Sequence, residues 1–308
     1  MLGGAVLARR ALQSVVVLWL LVTMLFSIAR MSGDPVTMLT EGAIEPEDVE
    51  AIREAYGFND PIVVQYGRFL GEISRGDFGD SIRTFQPARD LVLDRIQVSL
   101  QLVIPAFILV ILIAIPLGSV AAVKRGAIGA IAMVVSVIFQ SVPSFFLGVL
   151  YIFLFSVTLG WLPVFGTGGL DHYILPVATL MGYDLARYTR LMRAQVSETL
   201  TQEYVRTARA KGLAEPNVIR KHVMRNSLLP IVTIMGVDIG TLVGSAIIVE
   251  AVFAWPGFGT LVVEAAKTRD YPVIQASGFT IGLLVLTGSL LSDYAYGLVD
   301  PRIRRSGV

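Results

Sequence analysis

The stretch Glu203 to Pro230, EYVRTARAKGLAEPNVIRKHVMRNSLLP, decides how the rest of this chain is read. Its first part predicts a short helix reaching Lys211, which Thr201 can cap through its hydroxyl and which Gly212 can end in a left-handed turn. Pro216 suits the first turn of a second helix running to about Asn226, because its missing N–H has no helical partner there anyway. The two make an elbow at Gly212, just before a long apolar run. One face of the first helix is expected to present Tyr204, Ala208 and Lys211, with Ala208 small enough for another surface to approach closely. A solvated basic loop would explain the nine basic residues between Arg187 and Arg225. It would not explain a helix–glycine–helix.

Outward from this stretch the chain is apolar. Runs lie at about Ala11 to Ala29, Leu100 to Val123, Ile128 to Leu159, Ile174 to Met192, Leu228 to Phe253 and Val273 to Leu298. Each is long enough to cross a bilayer as a helix, where backbone groups must bond within their own segment. No charge falls between Arg95 and Lys124 or between Arg125 and Asp171. The fourth run is the weak one by hydropathy, since it contains Asp184, Arg187 and Arg190. Over the whole chain 54% of residues are hydrophobic and 16% charged, against about 25% charged in an ordinary soluble domain. Mean hydropathy is +0.69.

Charge distribution orients the runs. With six spans and an inside N-terminus, 16 of the 25 basic residues lie on the cytoplasmic side, nine of them between Arg187 and Arg225. The segment from Arg30 to Arg95 carries seven basic and 13 acidic residues, which suits the outside. Dropping the fourth run, or splitting the third, would put one basic end outside, so parity favours six. The expected class is therefore an all-α integral membrane protein with six transmembrane helices and both termini cytoplasmic. Its parts are residues 1–30, an external helical segment 31–95, a core 96–300 containing a cytoplasmic loop 194–226, and a tail 301–308. The first run also reads as a cleaved leader, with Arg9-Arg10 before it and Ser27-Ile28-Ala29 after, although it is longer than a usual leader core. In the external segment, Val49, Ile52 and Tyr56 fall at helical spacing after Pro46. Asp60 then offers a cap before Pro61, with Tyr66, Phe69, Leu70 and Ile73 on one face. Such helices either pack on the spans or dock an external partner.

Chemistry is limited by what is missing. There is no cysteine, and His172 and His222 stand 50 residues apart, so no thiolate nucleophile, disulfide or histidine cluster is available. No GxxxxGK[ST] stretch occurs, because Lys211 precedes Gly212 and Lys267-Thr268 lacks the glycine. The chain therefore carries no phosphate-binding loop of its own. Asp184, Asp238, Glu250 and Asp293 lie in or near the spans, where ionisable groups are costly and mark function by default. Asp184 and Arg187 are three apart and can neutralise each other. Arg187, Arg190 and Arg193 can snorkel to the cytoplasmic interface. Asp238 suits either a solute pathway or a structural pair with a neighbouring subunit. Glu250 suits an acceptor capping the Trp255-Pro256-Gly257 turn. The acids also allow a proton-coupled transporter, but no internal repeat of the kind those carry is evident.

Glu203 to Pro230 resembles the EAA loop of bacterial ABC importer permeases, in which the glycine lies nine residues after the glutamate. Tyr204 and Val205 replace the two alanines, a variant similar to the dipeptide, oligopeptide and nickel branch, first-permease type. The resemblance continues through Ile248 to Phe253, Pro256-Gly257-Phe258-Gly259, Arg269-Asp270-Tyr271-Pro272, the tail Asp300 to Arg304, and Tyr66 to Gly79. It implies a type I importer fold, a core of spans two to six with an added first span, and alternating access. It further implies that Glu203, Tyr204, Thr207, Ala208, Lys211 and Gly212 couple to a groove in a cytoplasmic ATPase. The implied partners are a second, related permease, two ABC ATPase subunits or domains that use ATP and Mg, an external solute-binding protein, and the bilayer of a bacterial cytoplasmic membrane. No cofactor, metal or nucleic acid is implied for this chain, and which solute it passes is open.

Overall fold

In the computed structural model, residues 4–31, 54, 59–124 and 126–299 are described, and among them the chain is helical with one isolated bridge, Asp80 to Pro87. Helix α1 is Gly4–Met31, α2 Ile62–Ser74, α3 Ala88–Val123 and α4 Ala127–Ser141. Helix α5, Ser144–Tyr151, continues as a π-wound turn over Ile152–Thr158, and α6 is Asp171–Leu200. The elbow supplies α7 (Glu203–Ala210) and α8 (Glu215–Val218), followed by a second π-wound stretch, Ile219–Met224. Helices α9 (Arg225–Val252), α10 (Phe258–Thr268) and α11 (Tyr271–Val299) complete the described chain. The expected helix around Val49 to Tyr56 and the tail beyond Val299 lie outside the described residues.

Among the described residues, Leu12–Met31, Ala88–Val123 and Tyr271–Leu290 are long and apolar enough by themselves to cross a membrane. The third apolar run, expected as one helix, is instead broken: 129–141 and 144–158 meet at 103°. The cause is local. Pro143 lacks an N–H and pushes Val142 to an extended backbone (φ −91°, ψ 124°), so the helix stops at Ser141 and restarts at Ser144. The fourth and fifth runs lie in α6 and α9.

The core is built on the pairing of α3 with α6 and of α9 with α11. Pro105 and Pro116 sit inside α3 without ending it, as neighbouring helices in a bundle allow. Apolar side chains on the outer faces, such as Leu112, Ile131, Val134 and Leu283, remain exposed, the pattern expected where lipid replaces water. Helix α1 is seated on α11. Gly278 and Gly282 form a notch in which an added Cβ would lie 2.8 Å from Leu25 Cδ2 and 2.2 Å from Leu21 Cδ2, respectively. Two glycines four apart let one helix close on another.

Helix α2 then closes over the C-terminal end of α1. Phe26 meets Tyr66 and Phe69 with ring centroids 5.2 Å apart in each pair. Thr23 Oγ1 and Tyr66 Oη share a 2.6 Å hydrogen bond. The face with Tyr66, Phe69 and Ile73 thus packs on a span. Asp60 does not cap this helix: its carboxylate accepts from Arg68 at 2.6 Å, and Pro61 occupies the cap position. The segment beyond is held to the core by Ser81, whose Oγ donates to Asp270 Oδ2 at 2.5 Å.

Candidate functional site

The elbow begins where α6 ends. Thr201 donates its hydroxyl to the Glu198 carbonyl at 2.7 Å and so closes α6. It is not the cap of α7, as expected. That position belongs to Gln202, extended at φ −69° and ψ 147°, whose carbonyl accepts from Val205 and Arg206. At the other end Gly212 N–H donates to the Arg209 carbonyl at 2.9 Å and Leu213 N–H to the Ala208 carbonyl at 3.4 Å. This is the paired closure of a glycine-ended helix. Gly212 has φ +79°, and a Cβ there would meet nothing within 4 Å. Backbone conformation alone therefore selects glycine.

Pro216 lies in the first turn of α8 as expected. The second helix does not stop near Asn226, however. Val218, Met224 and Arg225 all keep right-handed helical angles, so the chain runs through the π-wound stretch into α9 as one helical run from Glu215 to Val252. Arg209 braces the elbow through two bonds to Glu215, at 3.0 and 2.6 Å. These bonds hold the Glu215 carboxyl below its usual range and raise the Arg209 guanidinium.

Helix α7 has a clear inner face. Val205 and Ala208 are buried in one cluster with Met192 and Val196 of α6 and with Val218 and Val223. Ala208 is only 4% exposed. This corrects the expectation that it stands with Tyr204 and Lys211 on the open face. An eight-residue helix lying on a larger body hides one stripe, and here the stripe runs through positions 205 and 208. The close approach that Ala208 permits is to its own chain. Glu203, Tyr204, Arg206, Thr207 and Lys211 are exposed. Tyr204 Oη accepts from Asn226 Nδ2 at 3.1 Å, and Thr207 Oγ1 donates to the Glu203 carbonyl at 3.0 Å.

The charges within the spans pair differently from expectation. Arg187 does not bond Asp184. Its Nη1 donates to Asp238 Oδ2 on α9 at 2.7 Å, and the Tyr188 hydroxyl donates to the same oxygen. Asp238 faces Arg187 from α9 at bonding distance. Arg187 is thus held by an acid and does not snorkel outward, and Asp238 finds its partner within its own chain. Asp184 makes no hydrogen bond or ion pair among the described residues. It lines a small cavity with Val103, Phe107, Leu180, Leu242 and Ser245. Tyr188 was missed by sequence reading, because nothing in local spacing relates it to a residue 50 positions away. Asp293 lies on α11, but its side chain is outside the described residues. No group of three metal-ligating side chains occurs among the described residues.

Glu250 is fully buried, and its Oε2 accepts the Gly259 N–H at 2.6 Å. A carboxyl oxygen at the start of α10 satisfies one of the free N–H donors of the helix's first turn. The turn between them also binds α3: Phe258 N–H donates to Ser99 Oγ at 2.8 Å, Trp255 Nε1 to the Val98 carbonyl at 3.3 Å, and Arg95 to the Pro256 carbonyl at 2.7 Å. A Cβ on Gly257 would lie 2.5 Å from Glu250 Oε2, and one on Gly259 would lie 2.3 Å from Ile247 Cα. Glu250, expected to accept from the Trp255-Pro256-Gly257 turn, instead accepts through its carboxyl from Gly259, in the first turn of the helix that follows.

Comparison with known proteins places these features in context. Residues 114–305 match the model of the binding-protein-dependent transport system inner membrane component, and residues 4–103 match that of its N-terminal part. The oligopeptide transport system permease protein AppB of Bacillus subtilis (strain 168) is 39% identical over 97% of this chain and 99% of its own. The glutathione transport system permease protein GsiC of Escherichia coli (strain K12) is 36% identical over 96% of this chain and 97% of its own. Among solved structures, a chain of the inward-facing MetNI methionine ABC transporter matches with TM-score 0.54 at 20% identity, over 68% of this chain and 96% of that one, which supports the fold. The protein is a non-catalytic, multi-pass permease subunit of the binding-protein-dependent ABC importer family of the inner membrane, in the branch that contains AppB and GsiC.

Proposed function

We propose that this permease passes peptides, in the dipeptide to oligopeptide class, as one of two related transmembrane subunits driven by two cytoplasmic ATPases. The peptide class rests on the names of relatives that match over nearly the whole chain, oligopeptide and glutathione permeases. In this reading the chain crosses six times, with the bent pair α4–α5 as one crossing. Residues 1–30 carry a retained first span, 31–95 the outer segment, 96–300 the permease core and 301–308 a cytoplasmic tail. Seating of Leu21 and Leu25 on Gly278 and Gly282 supports retention of the first span.

The observation that carries the coupling role is the form of the elbow. It offers an exposed row, Glu203, Tyr204, Thr207 and Lys211, on a short helix whose other face is buried. The elbow then leads without a break into a helix that reaches Glu250. An ATPase groove that grips the row can shift the inward-open and outward-open populations of the spans. Asp184, facing a cavity without a partner, is the candidate pathway charge, and Arg187 with Asp238 is a structural pair. Reconstitution tests the reading. The complex with a second permease, ATPases and binding protein takes up labelled peptide, while this chain alone neither hydrolyses ATP nor transports. An active complex of this chain alone, or one that moves only non-peptide solutes, overturns it. A cysteine placed at Ser32 is expected to react with an impermeant reagent from outside and one at Ser197 from inside.

A further inference from the structure

Several basic residues between Arg187 and Arg225 are paired, and Lys211 stands in the row assigned to the ATPase. Arg206 lies 4.0 Å from Glu203, Arg209 bonds Glu215, and Arg187 bonds Asp238. Arg220, Lys221 and Arg225 are exposed and form no ion pair among the described residues. These three sit on or beside the π-wound stretch Ile219–Met224. A π-turn closes residue i to i+5, so side chains five apart fall on the same side of the helix. Val218 and Val223 obey that spacing and are both 0% exposed. Arg220 and Arg225 have the same spacing on the exposed side, with Lys221 next to Arg220. The unusual winding thus gathers three cations opposite a two-valine anchor.

We propose that Arg220, Lys221 and Arg225 form a binding site for the phosphate of an anionic phospholipid headgroup. Position favours a lipid over a soluble anion or an acidic protein. The apolar part of α9 opens with Leu228 and Leu229, so Arg225 stands only about 5 Å along the helix from the first lipophilic side chains. That is headgroup level for a cytoplasmic helix end, where each cation near an anionic surface gains affinity. The row assigned to the ATPase, with Lys211 as its cation, lies on the other side of the Gly212 turn from these three. A lipid held here clamps the junction between the elbow and α9, so anionic lipid is required for full coupling. The inference rests on the loop being cytoplasmic.

The test uses the assembled complex in phosphatidylcholine nanodiscs with and without phosphatidylglycerol, together with native mass spectrometry of the lipid it retains. The wild type is expected to retain phosphatidylglycerol in preference, and its peptide-stimulated ATPase activity to rise when that lipid is present. R220Q/K221Q/R225Q is expected to lose about tenfold in retained phosphatidylglycerol and to become indifferent to lipid composition. R220K/R225K, which keeps the charges, is expected to behave as wild type, which separates charge from folding. Excess inorganic phosphate is expected not to displace the lipid. Unchanged retention in the triple glutamine variant overturns the proposal. So does loss of the ATPase from that variant in both lipids, which assigns the patch to a protein, or displacement by phosphate, which assigns it to a soluble anion. If instead the coupling reading fails, stimulation is absent even in the wild type, while lipid retention still reports on the site.

Discussion

The elbow at Gly212 and the turn at Gly257 to Gly259 are both glycine-dependent, yet the glycines serve opposite ends. Around Gly212 there is open space, and only its positive φ restricts the residue. Gly257 has φ −93°, which any residue adopts, but a side chain there meets the Glu250 carboxylate. One bend is specified by conformation and left uncovered. The other is specified by packing and held by four hydrogen bonds to Glu250, Ser99, Val98 and Arg95. Changes at the outer turn should therefore damage assembly, and changes at the elbow should damage coupling in a chain that still assembles.

The largest expected effect is Gly259→Val. Its Cβ would stand 2.3 Å from the Ile247 backbone, and backbone cannot yield as a side-chain tip can. A loss of about 4 kcal/mol or more is expected, read as disappearance of the subunit from the membrane fraction. Accumulation at wild-type levels would break the comparison. Glu250→Ala comes next. It leaves the buried Gly259 N–H without its acceptor, at a cost of about 2 kcal/mol, and thermal melting of the purified complex should fall accordingly. Gly212→Val is expected to assemble, because no atom obstructs it, and yet to lose uptake, because a β-branched residue at positive φ is a genuine outlier. Normal coupled uptake in that variant would remove the elbow from the mechanism. Ala208→Trp should resemble the outer-turn variants more than Gly212→Val, since its side chain enters the cluster with Met192 and Val218.

The smallest effect concerns pH. Arg209 lowers the Glu215 pKa in the folded state. The pair therefore contributes fully above the ordinary carboxylate range, and its contribution is lost as pH falls through the lowered folded value. Both groups are exposed, so screening keeps the contribution small. Glu215→Gln should lower melting near neutrality only slightly, by the small contribution the pair makes there, and should remove the pair's share of the acid-side loss. A large shift at neutral pH would make the brace more important than the turn.

Much of this was legible in the sequence wherever one residue acts on its own neighbours. Gly212 and Pro216 each impose a local conformation, and the structure has them as read. The 103° break at Pro143 was also written locally, in a proline after Val142, but unbroken hydropathy masked it. What was not legible depends on which helices face each other. Arg187 chose Asp238, 51 positions away, over Asp184, three away, and spacing along one helix cannot show that. Ala208 is different: Val205 and Ala208, three apart on a markedly amphipathic helix, already form the inner stripe in the sequence. Grouping Ala208 with Tyr204, four before it, put it on the neighbouring open face.

The uninterrupted run from Glu215 to Val252 gives the molecule a mechanical ratio. Asp238 ties it sideways to Arg187 and Tyr188, so that tie serves as a fulcrum. At the usual helical rise the Glu215 end lies about 35 Å from it and the Val252 end about 21 Å. A tilt about that point would send the two ends in opposite directions, with the Val252 end travelling roughly three-fifths as far. On the proposed alternating-access reading, such a seesaw would open one side as it closes the other. The cost of sliding the fulcrum falls on a single carboxylate.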